Sequence, residues 1–108
     1  MNKFGLFGTF TVQEGQRDQM VTILLDAATS MESLPECEIY TVSIADNEPN
    51  AVYVYEVWRN QEAHQASLTL EATQTLIQRA KPIITGMKRI STLQPIGGKG
   101  LRNTNNRN

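Results

Sequence analysis

The chain is poor in the residues that tie small proteins together by covalent or metal links. Among its 108 residues there is one cysteine, Cys37, and one histidine, His64. A single cysteine excludes an internal disulfide and fits a reducing, cytoplasmic compartment. One Cys and one His also exclude a Cys/His metal cluster, and no acidic loop of the EF-hand type is present. Charge of one sign is missing too. Ten Lys and Arg stand against eleven Asp and Glu, a formal net charge of −1, which argues against a nucleic-acid footprint. No apolar run is long enough to span a bilayer. The opening residues MNKFGLFGTF read as a strand and not as a signal peptide, and no Asn-x-Ser/Thr sequon occurs. What is there is ordinary: 40% hydrophobic and 19% charged residues in 12.1 kDa, enough for one domain with its own core.

Periodicity divides the chain. Over residues 3–12, Phe4, Leu6, Phe10 and Val12 alternate with Thr9 and Thr11, which predicts a strand. Gly5 and Gly8 inside it mark a bulge or a close backbone approach. From Gln16 the period lengthens: Met20, Leu24, Ala27, Ala28 and Met31 share a helical face, opposite Asp18, Thr22, Asp26 and Thr29, and the helix stops before Pro35. Residues 36–46 and 51–58 are β-branched and aromatic, and the turn formers between them make an antiparallel hairpin. Asn60 caps a second helical stretch that breaks near Thr69 and resumes toward Pro82. Gly86 resets the chain, and Met87 to Ile96 reads as a fourth strand. The order is βαββαβ, the α+β ferredoxin-like plan: a four-stranded antiparallel sheet with both helices on one face. The domain spans 1–96, and 97–108 form a glycine hinge and polar tail.

The third strand is apolar on both sides. Val52, Val54 and Trp58 lie on one, Tyr53, Tyr55 and Val57 on the other. A sheet with one wet face should alternate apolar and polar. Leaving several such side chains in water forfeits several kcal/mol at roughly 25 cal/mol per Å². The pattern predicts a homodimer in which two sheets pack face to face, with space between sheet and helices left as a pocket. A monomer with an unusually hydrophobic central strand is the plainer alternative.

Few side chains can do chemistry. Glu56 interrupts the apolar strand on the Trp58 side, so its carboxylate must be paired, protonated or facing a polar cavity. His64, six residues past Trp58, is the side chain that titrates near neutrality and is the first candidate for moving a proton. Trp58 and the tyrosines, Tyr40 among them, can wall a pocket for a flat organic ligand; each of these residues also has a purely structural reading. Arg79 and Lys81 suit a helix C-terminus. Arg59 and Arg89 read as solvated, and Cys37 as a small core residue.

The run Glu56-Val-Trp58-Arg-Asn-Gln-Glu-Ala63-His64, set in this frame and followed by Leu93-Gln-Pro95-Ile-Gly97-Gly, resembles the antibiotic biosynthesis monooxygenase family over about residues 3–96. The resemblance implies a dimeric α+β barrel. It also implies oxidation of phenols or quinols by O₂ without a cofactor, in which the protein supplies a dry pocket, orientation and proton handling. Trp58 and His64 match the family's pocket region and Glu56 its usual acid. The best-described oxygenases of the group carry an Asn four residues before this Trp, where this chain has Val54. Haem-degrading relatives carry an Asn on the first strand and a His ten residues after the Trp; residues 4–13 hold no Asn and the later position is Leu68, which points away from haem cleavage. The expectation is a cytoplasmic, homodimeric monooxygenase for a quinol-like or polyphenolic molecule, with catalytic His64 and Glu56, substrate-binding Trp58 and Tyr40, and no cofactor, metal, nucleic acid or membrane partner. A non-catalytic binding or sensing module and an isomerase of a small metabolite are the alternatives.

Overall fold

Alternation and helical periodicity resolve into seven elements in a computed structural model that describes residues 2–101. They run β1 (Phe4–Val12), α1 (Arg17–Met31), β2 (Cys37–Ser43), β3 (Ala51–Trp58), α2 (Gln61–Ser67), α3 (Glu71–Ala80) and β4 (Ile84–Leu93). The sheet order is β2-β3-β1-β4, every pair antiparallel. This is the α+β ferredoxin-like arrangement, with three helices where the sequence predicts two. The break near Thr69 is complete. Leu70 is extended, and the freed carbonyls are met by side chains: Thr73 Oγ1 donates to Ser67 at 2.7 Å, Gln74 Nε2 to Leu68 at 3.0 Å and Thr69 Oγ1 to Ala66 at 3.0 Å. Satisfied carbonyls let a helix stop without a glycine.

The fourth strand starts three residues earlier than its alternation suggests. Gly86 does not precede the strand but lies inside it, opposite Thr11, where a Cβ would come within 2.8 Å of the Thr11 hydroxyl oxygen. The glycine therefore marks a close approach and not a boundary. The polar tail from 102 to 108 lies outside the described residues.

Side chains paired across antiparallel strands share a face. On the helix side stand Phe4, Leu6, Phe10 and Val12 of β1 and Val52, Val54, Glu56 and Trp58 of β3. Met20 and Leu24 of α1 and Ala80 of α3 close on Val12, Val52 and Val54 to make the core. Arg79 ties α3 to α1 through Asp26 at 2.8 Å, and Lys3 ties the start of the chain to β2 through Glu38 at 2.7 Å.

The outer side carries Phe7, Thr9, Tyr53, Tyr55 and Val57. Phe7 and Tyr53 stack with ring centroids 6.0 Å apart. Here the structure adds something the alternation could not show. Val57 is 0% exposed although no helix covers it. Its cross-strand partner is Gly5, and a Cβ there would lie 3.2 Å from the Pro95 ring. Beyond Pro95 the chain reaches the opposite sheet edge, where Leu101 shares a cleft with Leu34, Pro35 and Cys37. The chain's own C-terminal segment thus covers one end of the outer face, while Phe7, Tyr53 and Tyr55 keep part of their surface exposed.

Candidate active site

The helix-side face of β3 presents Glu56 and Trp58 two residues apart, so both point the same way. The Trp58 indole donates from Nε1 to Glu56 Oε1 at 2.9 Å. Across β2, Tyr40 stands opposite Glu56; across β1, Leu6 does. The loop after β3 turns at Asn60, whose Oδ1 accepts from the Ala63 amide at 2.8 Å and fixes the start of α2. One turn on, His64 faces the sheet. Its ring lies 5.9 Å from Trp58, edge-on, and 5.3 Å from Phe4. The structure therefore gathers Glu56, Trp58 and His64 on one face of the sheet, with Tyr40 beside Glu56.

Burial sets the electrostatics. His64 is 9% exposed, and among the described residues no hydrogen bond reaches its imidazole nitrogens. Desolvation, then the Arg89 guanidinium, holds its pKa below the ordinary 6.5. Glu56 moves the other way: burial pushes its carboxyl above 4.5, opposed by the Trp58 hydrogen bond and by Arg89. Burial and the neighbouring Glu56 carboxylate push the Tyr40 phenol well up. Cys37 is driven to about 12 by burial and the surrounding carboxylates, which makes it an inert thiol at neutral pH. Trp58 thus stands between an imidazole biased toward its neutral form and a carboxyl biased toward keeping its proton. An imidazole of that kind is in the form that can accept a proton near neutral pH, at the cost of a lower basicity.

Trp58 is 1% exposed, so it backs His64 and orients Glu56 and meets a ligand only when a neighbour moves aside. Two surface clefts lie elsewhere: one between α1 and α3, walled by Ile23, Asp26, Leu76 and Arg79, the other beside Leu101. Neither includes Glu56, Trp58, His64 or Tyr40. Among the described residues no three His, Cys, Asp or Glu side chains converge as a metal site, and no helix is long and apolar enough to cross a membrane.

Sequence reasoning missed Arg89. It is exposed, as its solvated reading requires, yet its register opposite Gly8 turns it to the helix side. Its charge acts on both Glu56 and His64. Phe4, the ring against His64, read only as a core residue.

An antiparallel four-stranded sheet with helices on one side defines a small ferredoxin-like domain, with an acid and an imidazole between its layers. Comparison with known proteins narrows this. The family model for antibiotic biosynthesis monooxygenases matches residues 4–79, and the chain belongs to that family. A structure from Chloroflexus aurantiacus J-10-fl, named as a candidate antibiotic biosynthesis monooxygenase, is 34% identical, covers 93% of this chain and 99% of its own, and superposes with a TM-score of 0.80. Similarly named proteins from Deinococcus radiodurans (19% identity, TM-score 0.76, 93% and 99% covered) and Caulobacter crescentus CB15 (17%, 0.78, 89% and 92%) share the fold. No curated protein matches the chain significantly in sequence.

Proposed function

We propose that the protein is a cofactor-independent monooxygenase that oxidises a quinol-like or polyphenolic ring with O₂ at the helix-side face of its sheet. The observation that supports this most is the state of His64: a buried imidazole whose pKa is held below the ordinary value, with no hydrogen-bond partner for its nitrogens among the described residues. Family membership supports the reaction class. His64 takes the phenolic proton, which raises the electron density of the ring. The ring then transfers electrons to O₂, one oxygen atom replaces a ring hydrogen as a carbonyl, and the other leaves as water. A phenol plus O₂ gives a quinone plus H₂O, so atoms and electrons balance without another reductant. Glu56, fixed by Trp58, holds a substrate hydroxyl, and Tyr40 bounds the site on the β2 side. Two copies pack through their outer sheet faces.

Oxygen uptake with a panel of dihydroxynaphthalenes tests the reading. The wild type should consume O₂ well above the spontaneous rate, and His64→Ala should lower kcat by roughly 10²-fold, the usual scale for a lost general base. Uptake no faster than in buffer across the panel contradicts it. A second reading, a binding module without turnover, draws on Val54. This position is apolar and buried, where the best-described oxygenases place an amide. Ligand binding without oxygen uptake selects it, and turnover under anaerobic conditions selects an isomerase.

A further inference from the structure

We propose that Arg89 is the anion-binding residue of this site, and that the ligand is an aromatic ring bearing one ionised oxygen group, laid on the half of the helix-side sheet face over β1 and β4. The proposal rests on the reading above that the site takes a small aromatic molecule, and it adds the charge of that molecule and the residue that meets it.

The geometry begins with a bulge. Arg89 and Ser91 are two residues apart and would share a face in a regular strand. The β1–β4 register shifts between Phe7 and Gly8, so that Ser91 stands opposite Phe7 while Arg89 stands opposite Gly8. Phe7 points outward and Gly8 inward. The irregularity therefore turns Arg89 to the side that carries Glu56 and His64, a re-aiming that bulges commonly perform. Gly8 has no side chain to stand between Arg89 and the row holding Glu56. On this half of the sheet Phe4, Leu6 and Phe10 form an apolar floor, Met87 opposite Phe10 is 74% exposed, and His64 stands at one side.

Charge complementarity identifies the occupant. Lys3 is neutralised by Glu38, Arg79 by Asp26, and Arg17 is bonded to the Ala45 and Glu48 carbonyls. Lys88, opposite Thr9, faces outward. Among the described residues Arg89 has neither an ion pair nor a side-chain hydrogen bond. With His64 held toward its neutral form and Glu56 toward its protonated form, the guanidinium is the charge that a ligand on this floor meets. A planar guanidinium beside an apolar floor suits a flat ring with an anionic oxygen at its edge.

The test is binding, not turnover, followed by NMR on the imidazole of His64, the one histidine of the chain. The probes are 2-naphthoate and its neutral counterpart 2-naphthamide, with 2,4-dinitrophenolate and 2,4-dinitroanisole as a second pair to separate a carboxylate from an ionised phenol. The wild type should bind at least one anion about tenfold tighter than its neutral partner, the scale of one charge-assisted contact at an exposed site. Arg89→Gln should erase that preference, leave the neutral compound's affinity unchanged, and raise the His64 titration midpoint by removing a repelling cation. Equal affinities within both pairs in the wild type, or a preference that survives in Arg89→Gln, overturns the assignment of Arg89 while leaving the aromatic-ligand reading intact. If none of the four compounds perturbs His64, both fall.

Discussion

At the scale of single residues, Glu56 and His64 respond to burial in opposite senses, and stability follows. The native state holds the Glu56 proton to higher pH than the unfolded chain does. Its contribution is therefore complete below the ordinary 4.5 and is lost as pH rises through the native value. For His64 the native value is depressed, so no penalty exists above 6.5, and stability is lost as pH falls from there through the native value. Glu56→Gln keeps an oxygen to accept from Trp58 but removes the ionisation. Measured by urea midpoint, the variant should gain on the wild type between about pH 4 and about pH 8; a difference that stays constant across that range contradicts the burial argument. These two residues could be read from sequence because a carboxylate in an apolar strand and a single histidine six residues past a tryptophan stand out. Arg89 could not, since its facing depends on a bulge that a period-two count passes over.

Among the elements, the ones the sequence places well are those whose pattern is local. The alternation of β1 and β3, the amphipathic α1 and the Asn60 cap all appear where their residues predict. The misplacements have long-range causes. The start of β4 depends on Gly86 lying against Thr11, 75 residues back in the chain by their numbering, and the cover over Val57 depends on Pro95 reaching Gly5. That last contact makes a prediction. Gly5→Ala puts a methyl 3.2 Å from the Pro95 ring and 3.3 Å from the Leu93 carbonyl, a mild overpacking that should cost about 1–2 kcal/mol in denaturant unfolding. Combining it with Pro95→Ala should recover part of that loss, because the proline ring is one of the two obstacles. Strictly additive effects of the two changes contradict the seating of Pro95 on Gly5.

The whole molecule is a sheet with two apolar faces. One face lies under the helices, carries Glu56 and Arg89 and meets His64 of α2. The other is covered at one end by the chain itself and leaves Phe7, Tyr53 and Tyr55 partly exposed, the surface through which we propose that a second copy packs. A stable interface of the proposed kind buries roughly 800 Å² per partner, and the stacked pair of Phe7 and Tyr53 lies on the face it would use. Sedimentation at tens of micromolar tests this division most directly. The account predicts a species of twice 12.1 kDa that shifts toward the single chain when Tyr53→Glu places a charge on the outer face. A wild-type protein that sediments at 12.1 kDa throughout that range contradicts it.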